Sequence, residues 1–174
     1  MEAPFPELTE PFLDPLVVRR ITPTFERRRA RLSTTMSLNQ SQSPLQIVVY
    51  SSDLTVRAQV VSALGRQVAS DLPEHRIIEI ATGDALRLYV DQKKPVDLFI
   101  LDGEATPEGG MGISRELKDE VFNCPPVLLI AARLEDSWLA TWSRADDVML
   151  HPVDPFTCAD KAAALLRSRT VAIH

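Results

Sequence analysis

Asp102 ends the apolar run Val96-Asp97-Leu98-Phe99-Ile100-Leu101, and Gly103 and Glu104 follow it. A run of that length reads as a strand. In an open α/β sheet, ligands and chemistry gather at the carboxyl ends of parallel strands. Asp102 therefore stands where a reactive acid would stand. Two other strand ends bring polar residues: Ser51-Ser52-Asp53 after Gln46-Ile47-Val48-Val49-Tyr50, and His151-Pro152 after Val148-Met149-Leu150. Ser52, Asp102 and His151 could meet at one sheet edge as a hydrolase triad, yet no nucleophile-elbow sequence accompanies them. The histidines, His75, His151 and His174, have no metal-site spacing. Gly103, Gly109, Gly110 and Gly112 surround an anion-friendly helix start, without the GxGxxG fingerprint. The plainer reading makes Asp102 a loop-capping carboxylate and His151 a hydrogen-bonded turn residue.

Apolar runs and spacing supply the elements that hold these residues. Strands are expected over 46–50, 75–80, 97–101, 127–130 and 148–150, and helices over 54–70, 82–90, 111–122, 135–145 and 156–169. The first helix rests on Val56, Val60, Val61, Leu64 and Val68 at three-to-four spacing. Asp53 stands at its mouth as an N-cap. Five β-then-α units across 45–170 imply an α/β fold, a doubly wound five-stranded parallel sheet with helices on both faces. No internal repeat is visible.

The first 35 residues read differently, as an extended Pro/Arg-rich arm. Pro4, Pro6, Pro11, Pro15 and Pro23 exclude a continuous helix or a central strand. Acids come first, at Glu2, Glu7, Glu10 and Asp14; then Arg19, Arg20, Arg27, Arg28, Arg29 and Arg31 follow, opposed by Glu26. Phe5, Leu8, Phe12, Leu13, Leu16 and Phe25 are interleaved, more apolar surface than a solvating tail carries. Residues 24–33 suit a short basic helix capped by Thr24. A polar linker, 36–44, joins the arm to the domain, and Met36 is an alternative start of translation. Residues 171–174 form a short tail.

Composition bounds the function classes. A net charge of −5 argues against wholesale nucleic-acid binding. Cys124 and Cys158 lie far apart and read as buried reduced thiols, in keeping with a cytoplasmic location. No apolar run reaches the ~20 residues of a membrane span, and no signal sequence opens the chain.

The element spacing, Asp102 at a strand end and the His151-Pro152 step resemble a response-regulator receiver domain, the CheY-like fold, over about 45–170. The resemblance implies strand order 2-1-3-4-5 and a phosphoacceptor role for Asp102. It also implies a cis peptide at the X-Pro step after the fifth strand. Phosphoryl transfer to a carboxylate needs a bridging cation, and receivers hold Mg²⁺ with an acidic pair after the first strand. Here those positions are Ser51 and Ser52, with Asp53 one residue further on. The hydroxyl at the end of strand four is Ala131, the lysine after strand five is His151, and the aromatic switch position falls on Val148. An imidazole with a pKa near 6.5 supplies little of a lysine's fixed charge. The expectation is a degenerate receiver with a vestigial site at Asp102, Ser51, Ser52, Asp53, Ala131 and His151, no bound cofactor, no metal and no catalysis.

With no output domain before the chain ends at His174, a single-domain protein-binding module is expected. Its partner would offer an extended groove and acidic patches to the arm. Trp138 and Trp142, four residues apart, share a helix face and are candidates for an interface. The stretch 37–53 resembles the atypical orphan response regulators of mycobacteria. That resemblance implies an accessory subunit of the proton-pumping NADH–quinone oxidoreductase, respiratory complex I, at the cytoplasmic face of the membrane. Two other readings stand beside it. One is a working phosphoacceptor with Asp53 and Glu104 as makeshift metal ligands; the other is an RNA- or anionic-lipid-binding adaptor acting through the arginines.

Overall fold

The computed structural model describes residues 43–133 and 141–172. The arm, most of the linker and Trp138 lie outside the described residues. In chain order the elements are β1 (Leu45–Tyr50), α1 (Leu54–Leu64), β2 (His75–Ile80), α2 (Gly83–Asp91), β3 (Leu98–Asp102), α3 (Gly110–Glu120), β4 (Val127–Ala131), β5 (Asp147–Leu150) and α4 (Pro155–Ala172). Among the described residues the strands form one sheet of order β2-β1-β3-β4-β5, every pairing parallel. This is the expected doubly wound architecture.

Period-two alternation sends successive strand residues to opposite faces. Ile47, Val49, Leu98, Ile100, Leu128, Ile130 and Met149 form one core with Val60 and Leu64 of α1 and Cys158, Ala162 and Leu166 of α4. Val48, Tyr50, Phe99, Leu101, Val127 and Leu129 form the other with Leu86 of α2 and Ile113 and Leu117 of α3. Because both faces are covered, β3 and β4 are buried along their whole length and read as unbroken apolar runs. Each fully buried Leu or Ile contributes about 1.5–3 kcal/mol.

Several boundaries differ from expectation. The first helix stops at Leu64, not at residue 70, because Gly65 takes a φ of +58° and donates its N–H back to the Val61 carbonyl. Val68 continues the helical spacing, but it packs against the core from a turn. Left-handed backbone is inexpensive for glycine, so the chain leaves the helix there. The third strand runs one residue later than expected and includes Asp102, while Asp97 stays outside it and accepts the Gln46 N–H at 2.8 Å. The third helix covers Gly110–Glu120. Of the predicted helix over 135–145, residues 135–140 lie outside the described residues; 141–143 are helical, and Arg144 (φ +57°) turns the chain toward β5. The final helix extends to Ala172. Cys158 is buried as expected, whereas Cys124 is only half-buried; both are free thiols.

Gly110 is required by close approach. A Cβ there would lie 2.6 Å from the Asp102 carbonyl oxygen, whereas one on Gly112 would meet nothing within 4 Å. Gly110→Ala is therefore expected to destabilise the domain by about 1–3 kcal/mol. Gly112→Ala, on the open side of the same helix, should stabilise it by about 0.5–1 kcal/mol. Urea unfolding of the two variants checks both signs.

His75, at the start of β2, is the other tuned position. Neither ring nitrogen has a well-formed hydrogen bond, and burial holds its pKa below the usual value against a smaller opposing pull from the Gly65 backbone. The unfolded chain thus protonates near pH 6.5 while the folded one resists. Stability from this group is intact above about pH 6.5 and falls as the pH drops through that value. Melting temperatures measured from neutral to mildly acid pH should decline, and His75→Leu should flatten that decline.

Candidate functional site

The sheet register assembles the site. Tyr50 pairs with Leu101, so Ser51, one residue on, lies beside Asp102. Val49 and Ser51, Ile100 and Asp102, and Met149 and His151 are each two residues apart, so all three polar residues continue the side of the sheet that α1 and α4 cover. Asp102 is 2% exposed and Ser51 fully buried.

Both carboxylate oxygens of Asp102 are engaged. The Ser51 hydroxyl donates to Oδ2 at 2.6 Å, the Glu104 N–H donates to Oδ1 at 3.0 Å, and His151 Nε2 lies 3.1 Å from Oδ1. A carboxylate has only acceptors, so we assign the His151 proton to Nε2. Ser51 Oγ also accepts the Asp53 N–H at 3.0 Å, and the Ser51 carbonyl accepts from Arg57 Nη1 at 2.6 Å. The order is serine–aspartate–histidine, with the acid central. A hydrolase triad needs the histidine between nucleophile and acid, so this is no triad. It is also Ser51, not Ser52, that joins the pair.

The remaining candidates take other places. Ser52 is exposed, and its Oγ accepts the Thr106 N–H at 3.0 Å. Asp53 caps α1 by accepting the Thr55 N–H at 2.7 Å, and that bond holds its carboxyl below the usual range. The Glu104 side chain is exposed and reaches Asp102 only through its backbone. Ala131 is buried at the end of β4, where its carbonyl accepts the His151 N–H at 2.9 Å. Val148 is half-buried. The His151–Pro152 bond is cis, as is Thr106–Pro107. Trp142 is half-exposed; the Arg115 guanidinium lies 5.8 Å from its ring centroid and donates to its carbonyl.

The set does not fit Mg²⁺, which takes near-octahedral oxygen ligands with one or two carboxylates. Ser51 turns its proton, not a lone pair, toward Asp102, and one oxygen of the Asp53 carboxylate accepts the Thr55 N–H. Among the described residues no three His, Cys, Asp or Glu side chains are grouped to hold a metal ion.

Other residues here were not singled out from sequence. The Tyr50 hydroxyl donates to the Glu108 carbonyl at 2.7 Å, and burial, then Glu108, raises its pKa. Arg87 of α2 pairs with Glu108 at 2.8 Å and Glu116 at 2.6 Å, which holds the Glu116 carboxyl below its usual value. These contacts draw the loop 103–109 over the sheet edge. Arg57, four residues past the cap Asp53, had a readable helical position; the tethers of Tyr50 and Thr106 had no local signal.

A sheet of this order, with an aspartate closing its middle strand and a cis X-Pro step after its last, defines a receiver domain. No family model matches the chain. Two proteins from two strains of Mycobacterium tuberculosis, each described as an uncharacterized response regulatory protein, are 46% identical over 128 residues, covering 74% of this chain and 96% of theirs. The chain belongs to the response regulatory proteins. Solved structures agree in fold. A receiver domain protein from Clostridium thermocellum aligns with a TM-score of 0.60 at 17% identity, over 74% of this chain and 98% of that one. A CheY-like receiver domain protein from Methanospirillum hungatei gives 0.59 at 16%, over 75% and 99%. The Thermotoga maritima response regulator DrrB gives 0.59 at 18% over 72% of this chain, which spans 54% of DrrB. No described helix is long and apolar enough to cross a membrane.

Asp102→Ala leaves three donors facing a void. It is expected to cost about 2–4 kcal/mol of stability, and Asp102→Asn, which keeps the shape and an acceptor, should cost less. Exposed Asp160→Ala should stay within about 0.5 kcal/mol. Chemical denaturation of the three variants tests the ranking.

Proposed function

We propose that this receiver is non-catalytic and works as a protein-interaction module, an accessory subunit anchored to a larger assembly by residues 1–35. The observation that carries the reading is the enclosed carboxylate: Asp102 is buried, with Oδ1 facing the Glu104 N–H and His151 and Oδ2 taking the Ser51 hydroxyl. Attack on a phosphoryl group needs nearby cationic charge to stabilise the transferring group. Ser51 and Ser52 bring neutral hydroxyls, and Ala131 brings no hydroxyl at all. What remains for function is surface, where Phe122 (99% exposed), Phe156 (81%) and Trp142 stand in solvent. Resemblance to the mycobacterial orphan receivers supports the NADH–quinone oxidoreductase as the assembly. The arginines of the arm support an acidic binding groove.

Two measurements test this. Incubation with Mg²⁺ and acetyl phosphate should leave Asp102 unmodified; phosphate on Asp102, found by mass spectrometry, would reinstate the phosphoacceptor reading. In native membranes the full-length chain should co-purify with the NADH–quinone oxidoreductase, and a chain starting at Met36 should not. Equal recovery of both forms, or recovery of neither, counts against the arm as anchor.

A further inference from the structure

We propose that Ser51 and Ser52 form an ion-independent staple that ties the loop after β1 to the loop after β3, holding the sheet edge in one closed arrangement. The inference rests on the reading of Asp102 as an enclosed, non-catalytic acid and goes beyond it, to how the surface stays constant. Three hydrogen bonds cross between the two segments. Ser51 Oγ donates to Asp102 Oδ2 at 2.6 Å, Ser52 Oγ accepts from the Thr106 N–H at 3.0 Å, and the Tyr50 hydroxyl donates to the Glu108 carbonyl at 2.7 Å. Each joins residues more than 50 positions apart. They come from three consecutive residues, Tyr50, Ser51 and Ser52, and land at 102, 106 and 108.

The chemistry explains why serine suits these positions. Carboxylates set beside Asp102 would repel it unless a cation stood between them, so a tie built that way depends on the ion. A hydroxyl needs no ion. It donates to the acid and still accepts, as Ser51 Oγ does from the Asp53 N–H at 3.0 Å. Behind the staple, Arg87 grips Glu108 at 2.8 Å and anchors the far end of loop 103–109 to α2. A receiver so fastened presents the same outer surface whatever the divalent-ion level.

Amide hydrogen exchange on the full chain reads the staple directly, because three of its amides report on separate bonds. The Asp53 N–H is held by Ser51 Oγ, the Glu104 N–H by Asp102, and the Thr106 N–H by Ser52 Oγ. Their protection should be equal in EDTA and in millimolar Mg²⁺. Ser51→Ala should speed exchange at Asp53 by roughly ten- to a hundredfold, and Ser52→Ala should do the same at Thr106 alone, with Glu104 the internal reference. Protection that rises with Mg²⁺, or that survives both substitutions, overturns the staple. Protection that survives both substitutions overturns the staple alone, whereas a rise with Mg²⁺ also bears on Asp102, which the acetyl phosphate incubation decides separately.

Discussion

A carboxylate taken out of water costs several kcal/mol unless donors surround it, and the sheet edge of this protein is arranged around that requirement. Asp102 sits at the end of the central strand, flanked by the ends of other strands. Its donors arrive from three directions: Ser51 from β1, the Glu104 N–H from its own loop, and His151 from beyond β5. Only a sheet with β3 between β1 and β4 brings those groups together. The buried acid and the strand order therefore support each other.

The same arrangement fixes what surrounds the acid in this chain. A phosphoacceptor needs its acid exposed to a cation and to an incoming phosphoryl group. Here the acid is closed in, and the residues around it are those that complete its hydrogen bonds. Asp53, the nearest other acid on β1's side, is drawn to the first turn of α1 by the Thr55 N–H. Glu104 turns its side chain to solvent and lends only its backbone. Loop 103–109 is fastened through Tyr50, Ser52 and Arg87.

Much of this was legible from sequence, and particular elements say why. β3 and β4 announce themselves because burial on both faces demands unbroken apolar runs, and Asp102 stands out as the polar residue that breaks one. Asp53 was readable as a cap because the cap signal lies within three residues of the bond it makes. The end of α1 was not: Val68 keeps the helical spacing, and the single glycine that stops the helix outweighs it. The choice between Ser51 and Ser52 was missed for a similar reason. Adjacent residues differ only in which way the strand's alternation points them, and the register decides that.

Sequence alone determined the alternation of strands and helices, the acid at the end of the third strand, and the neutral or uncharged residues at the other strand ends. These are local matters of residue type and period, written into a few consecutive positions. Tertiary structure decided which of those residues meet. Parallel pairing carried Ser51 to Asp102 across 51 positions and His151 across 49, and close packing at Gly110 brought a helix onto the Asp102 backbone. Contacts between residues so far apart follow from strand order and register, which depend on the whole chain packing at once.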